Sequence, residues 1–185
     1  MDKETTKDQR LKAGHYEIQG ETIAKFEFFD QGYNPYSRYL DIDKVDLILR
    51  RKEGKKTKYA EIQVKFGTLY PVGERWAKEN FDYTSWRFFN PDEFKESHNL
   101  FIAYVLARRE GYKGDIFIFS SEIFHKLINS SRTSNTKRGK RAKMYIAHCI
   151  HDDKWYLWKG WKFNEINNET TVDVSKYRRN FDLEV

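Results

Sequence analysis

Two hydrophobic periods alternate along the chain. Over residues 16–31, Ile18, Ile23, Ala24, Phe26 and Phe28 recur at helical intervals, and Gly32 stands where a helix would stop. Glu21, one turn from Ala24 and two from Phe28, falls on or beside the face this helix would bury, where a carboxylate needs a reason. Residues 33–43, which include Pro35, read as an irregular connection, and the period then changes to two. Val45, Leu47 and Leu49 alternate with Asp46, Ile48 and Arg50; Ala60, Ile62, Val64 and Phe66 alternate with Tyr59, Glu61, Gln63 and Lys65. The Glu53-Gly54 pair between them supplies a turn, so residues 45–66 are expected to form an antiparallel hairpin.

Residues 67–90 contain Gly67, Pro71 and Gly73 and read mostly as loop, with a short strand at 85–89. Residues 100–106 and 116–119 are continuous apolar runs, the pattern of strands covered on both faces. Ser120 or Ser121 caps a helix over 121–129 that buries Phe124, Leu127 and Ile128. A basic loop, strands at 143–150 and 155–159 joined by His151-Asp152-Asp153, and a short helix within 174–183 complete the prediction. This order predicts an α/β (α+β) fold, a mixed central β-sheet flanked by helices, with one domain over 14–185 after a flexible, charged segment of 13 residues.

Composition narrows the class. With 5 Trp, 12 Tyr and 14 Phe in 185 residues, the chain carries far more aromatic mass than a disordered one. It contains no apolar leader and no stretch approaching a membrane span, which gives a cytoplasmic expectation. The single cysteine, Cys149, rules out an intramolecular disulfide and multi-cysteine zinc sites, and its place in an apolar run makes it a core residue. Walker, dinucleotide and serine-hydrolase motifs do not occur. The formal charge of +6 permits a polyanionic partner. Residues 131–143 hold Arg132, Lys137, Arg138, Lys140, Arg141 and Lys143 with no acidic residue, which reads either as a solvated loop or as a phosphate contact.

The candidate chemistry lies on the hairpin. Period two puts Gln63 and Lys65 on one face, and Asp46 joins them if it faces the same way. The Asp46 carboxylate, the Gln63 amide oxygen and the Val64 carbonyl could give a hard cation three oxygen ligands, with Lys65 placed to orient water and stabilise an anionic transition state.

At this point VDLIL (45–49) followed by AEIQVKFG (60–67) resembles the PD-(D/E)XK nuclease superfamily, restriction endonuclease-like proteins in which an aspartate precedes an acidic-x-lysine signature on the partner strand. The closest resemblance is to the branch with glutamine in the acidic position, here Gln63-Val64-Lys65, which includes intron-associated homing endonucleases. The resemblance covers roughly residues 14–70 and implies a DNA-cleaving enzyme dependent on Mg²⁺ or Mn²⁺, with Asp46 and Gln63 on the metal. It also implies a role for Glu21, since family members place a glutamate on the first core helix, aimed at the metal. A neutral glutamine leaves the site one negative charge short, so Glu21 or Glu61 would have to compensate. Lys55 and Lys56 at the hairpin turn, with the 131–143 segment, would grip backbone phosphates. By analogy, pairing two sites to cut two strands would make a homodimer. The competing expectations are an inactive nucleic-acid-binding module of the same fold and a protein-interaction subunit.

Overall fold

The first helix begins well before its apolar spacing does. In the computed structural model, which describes residues 3–37, 44–73, 77–94, 96–131, 133–136, 139–159 and 166–183, α1 runs Lys3–Asp30. Its first two turns are rich in Lys, Glu, Asp, Arg and Gln and contain no proline, so nothing local stops the helix from extending. Gly32, at φ +82°, ends it in the left-handed region, as predicted. The buried face differs from the predicted stripe: Gly20, Ala24, Glu27 and Phe28 are buried, whereas Ile18 and Phe26 are exposed. At about 100° per residue, positions 20, 24, 27 and 28 share one side and 18 and 26 fall on the other. The buried carboxylate of α1 is therefore Glu27, which accepts from the Tyr112 hydroxyl at 2.7 Å and from Arg179 Nη1 at 2.9 Å.

Among the described residues eleven strands follow in chain order: β1 (Asn34–Ser37), β2 (Leu47–Glu53), β3 (Lys56–Thr68), β4 (Tyr70–Pro71), β5 (Phe81–Phe89), β6 (Leu100–Arg108), β7 (Gly111–Ser120), β8 (Thr133–Thr136), β9 (Gly139–Cys149), β10 (Lys154–Trp158) and β11 (Thr171–Asp173), with α2 (Ser121–Ser130) after β7. They form two sheets rather than the single central sheet expected. One is ordered β1-β2-β3-β6-β7, antiparallel except for the parallel β3/β6 pair. The other is ordered β11-β10-β9-β5-β4, with β8 also on β9. The hairpin of β2 and β3 closes through Gly54-Lys55, one residue later than the predicted turn centre, because Glu53 pairs with Lys56.

Burial explains the two layers. Ala24 and Phe28 of α1, with Phe181 and Leu183 of the C-terminal tail, cover Leu47, Ile62, Val64 and Val105 on one face of the first sheet. Its other face, carrying Ile102, Tyr104, Leu106, Phe117 and Phe119, packs on Phe89, Met144, Ile146, Trp155 and Leu157 of the second sheet and on Phe124 of α2. Strands β6 and β7 are thus covered on both faces, as their continuous apolar runs predicted. Ser120 caps α2, accepting from Ile123 N–H, and Cys149 is buried. The predicted C-terminal helix is only a 3₁₀ turn at Ser175–Tyr177. Beyond it Arg178 bridges to Phe117, and Phe181 and Leu183 point into the core on either side of exposed Asp182, a period of two. Among the described residues, no helix is long and apolar enough to cross a membrane.

Gly67 of β3 leaves no room for a side chain, crowded by β6 of its own sheet and by Ser85 of the other. A Cβ there would lie 2.7 Å from the Tyr104 hydroxyl and 2.8 Å from Leu106 Cδ2, both on fully buried side chains. Gly67→Ala gains about 0.4–1 kcal/mol from the unfolded chain, but overpacking costs about 1–3 kcal/mol. The clash wins, and the expected result is a lower urea midpoint with an unchanged slope.

Candidate active site

The hairpin strands part company before β3 ends. The β2/β3 register stops at Leu47 opposite Ile62, while β3 continues to Thr68 with β6 as its ladder partner among the described strands. The backbone groups of Ile62, Val64 and Phe66 face the edge that β2 vacates, and side chains complete the ladder there. Asp46 N–H donates to Ile62 O at 2.9 Å, Val64 N–H donates to Asp46 Oδ2 at 2.6 Å, and the Arg87 guanidinium donates to Phe66 O. Asp46 is thereby fixed beside the middle residue of Gln63-Val64-Lys65. The Val64 carbonyl projects from the same edge.

The alternating side chains divide as predicted. Val64 and Phe66 face α1, with Gly20 of the helix against both. Gln63 and Lys65 take the opposite face of β3. Gln63 is only 4% exposed. Lys65 is half-buried, its Nζ 5.9 Å from the Phe94 ring centroid. Burial pulls the Lys65 ammonium below the usual lysine range, and Arg87 pushes the same way. Asp46 opposes the shift most strongly, followed by Glu17 and Glu93. A cleft opens at this edge, lined by Tyr16, Glu17, Lys65, Tyr70, Trp86 and Arg87 among others.

Asp46 is held at Val64, the residue between Gln63 and Lys65, and acts on the Lys65 ammonium; of the predicted residues Lys65 lines the cleft, and Asp46 and Gln63 do not. Glu21 is half-buried on α1, next to Gly20, but does not line this cleft; the α1 carboxylate that does is Glu17, one turn earlier. Glu61 is half-buried on β3, two residues from Gln63. Glu17 was findable as the residue four before Glu21, on the same helix face. Trp86 and Arg87 stand in an aromatic cluster of the sequence (Phe81, Tyr83, Trp86, Phe88, Phe89), but only the packing of β5 against β3 brings them to the cleft.

The basic residues are more dispersed. Lys55 and Lys56 are exposed at the hairpin tip, about 20 Å along the strands from Asp46. The predicted 131–143 loop contains a β8/β9 hairpin, with exposed Lys140 and Arg141 on β9; Arg132, Lys137 and Arg138 lie outside the described residues. The local reason is Gly139, which at φ +105° lets the chain reverse into β9.

No protein-family model, no curated protein and no solved structure matches the chain. Among the described residues no three of His, Cys, Asp and Glu gather as a metal cluster. The oxygen donors near the cleft are the Asp46 carboxylate held on Val64 and the Val64 carbonyl, with Gln63 the preceding residue of the strand.

Proposed function

We propose that the chain is a metal-dependent nuclease of the PD-(D/E)XK, restriction endonuclease-like kind, cutting a DNA phosphodiester at the edge where β2 and β3 diverge. One observation carries the reading: Val64 N–H holds the Asp46 carboxylate against the strand that bears Gln63 and a desolvated Lys65. Oxygen donors such as the Asp46 carboxylate, the Gln63 amide and the Val64 carbonyl suit a hard cation. Asp46, Gln63 and the Val64 carbonyl would hold Mg²⁺ or Mn²⁺, which when bound would acidify a water and neutralise charge on the phosphate.

The chain's own groups account for the rest. Lys65 carries its positive charge in a poorly solvated position, where it attracts an anionic phosphate more strongly than a surface lysine does. It orients the attacking water and stabilises the negative charge that builds during attack. The Arg87–Phe66 hydrogen bond fixes the strand just beyond Lys65. Lys140, Arg141, Lys55 and Lys56 give a salt-sensitive hold on the backbone.

A second reading, an inactive nucleic-acid-binding module, draws support from Asp46 itself. Its carboxylate completes the ladder at Val64, a structural role that needs no metal. Supercoiled plasmid separates the two. Under the nuclease reading, Mg²⁺ or Mn²⁺ yields nicked circles, excess EDTA stops the reaction, and Asp46→Asn lowers the rate at least about a hundredfold. Salt-sensitive binding without nicking in either metal would replace the nuclease with the module.

A further inference from the structure

The cleft at Lys65 continues onto an exposed aromatic surface that a duplex does not require. Trp86 lines the cleft together with Lys65 and is 48% exposed; Tyr70 and Tyr16, also on its wall, are 51% and 47% exposed. Exposed aromatics in such number are unusual, because their area is normally spent in a core. Tyr16 is already aligned, stacked on Phe66 at 5.4 Å between ring centroids and 12° between planes.

The same surface carries positive charge along β5 and β9. Trp86 sits opposite Tyr145, and 40%-exposed Phe88 sits opposite Lys143. Trp86 and Phe88 meet edge to face at 5.9 Å. Lys143 Nζ stands 4.9 Å from the Trp86 ring centroid and 5.2 Å from that of Tyr145, with exposed Arg141 two residues along the strand. Aromatic faces interleaved with cations, leading into a cleft, match the chemistry of a polyanion whose bases are unpaired: bases stack on the rings while Lys and Arg follow the phosphates. Paired bases in a duplex have no free face to offer.

We infer that the chain binds single-stranded nucleic acid along this surface, with an unpaired base stacked on Trp86 and the strand led past Lys143 to Lys65. The substrate class is a single strand, or a junction or flap with an unpaired arm. This rests on the nucleic-acid reading of the Lys65 cleft, but not on catalysis there.

The test measures binding in EDTA, so that cleavage plays no part. Fluorescence anisotropy of a labelled oligothymidylate of about 15 nucleotides, beside a blunt duplex of equal length, is read at two salt concentrations. The expected result is tighter binding of the single strand and quenching of tryptophan fluorescence. Trp86→Ala should weaken single-strand binding about tenfold, Trp86→Phe should restore most of it, and duplex affinity should stay within about twofold because phosphate contacts dominate it. Equal affinity of Trp86→Ala and the original chain for oligothymidylate, with melting temperatures matched, overturns the inference, as does a preference for the duplex. Trp86-dependent binding without plasmid nicking would sustain the inference and sink the nuclease reading. Nicking with no Trp86 dependence would do the reverse.

Discussion

Lys65→Met should abolish metal-dependent nicking and at the same time raise the melting temperature. The loss of activity is expected to be at least about a hundredfold, the scale on which a positioned donor to a developing anion acts. The gain in stability follows from the same burial. Because burial lowers the Lys65 pKa, the folded chain binds this proton less readily than the unfolded chain does. Stability therefore rises with pH between the lowered pKa and the ordinary lysine value, and at neutral pH the charged side chain is a cost. Methionine fills similar volume without that cost and should gain about 1 kcal/mol, or about 2–4 °C in melting temperature. Its advantage should shrink as pH is raised toward the lysine range. Activity of the original chain should fall over that alkaline window, as Lys65 loses its proton. A methionine variant that is both less active and less stable would mean that Lys65 is structural.

Arg178→Ala should produce the largest loss of stability. Asp115 is 1% exposed on β7, and Arg178 reaches it twice, with Nε at 3.1 Å and Nη2 at 3.0 Å from Oδ1. Asp115 is buried although the Arg178 side chain is 37% exposed, and removing the partner of a buried charge costs up to about 3–5 kcal/mol. We expect the low end, about 3 kcal/mol, because Arg108 also favours the Asp115 carboxylate. Burial raises the Asp115 pKa despite both arginines. A carboxyl with a raised folded pKa contributes stability below its unfolded pKa and loses that contribution as pH climbs through the folded value. The deficit of Arg178→Ala should thus be widest at neutral pH and narrow toward about pH 4, near the unfolded carboxyl pKa. Arg178→Lys should recover only part, since an ammonium cannot present two N–H groups from one plane. Thermal melts of the three chains at pH 4 and pH 7 measure all of this.

The hairpin was legible because its information is local. Period two set the faces of Gln63 and Lys65, and Gly54 marked the reversal to within one residue. The apolar runs of β6 and β7 carried their double burial in the same way. What stayed hidden depends on partners distant in sequence. The buried face of α1 is chosen by what packs on it, so Ile18 and Phe26 turned outward and Glu27, with Arg179 and Tyr112 waiting 152 and 85 residues on, went inside. The main strands of the second sheet were legible at 85–89, 143–150 and 155–159, but their separation from the first sheet depends on distant pairing partners, and short strands such as β4, β8 and β11 carry too few residues to show a period. At the site, alternation alone paired Gln63 with Lys65, whereas the place of Asp46 on Val64 N–H needed the fold. Arg87 and Trp86 needed the fold to reach the cleft.

Asp46 is the residue on which the nuclease and the module readings differ most. Titrating Mn²⁺ into the chain at neutral pH, with free Mn²⁺ followed by electron paramagnetic resonance, tests it directly. The original chain and Lys65→Met should each take up one Mn²⁺ per chain, and Asp46→Asn should lose that uptake while its fold, checked by far-ultraviolet circular dichroism, is kept. Equal uptake by Asp46→Asn and the original chain, or no uptake by either, would contradict a metal centre at this edge.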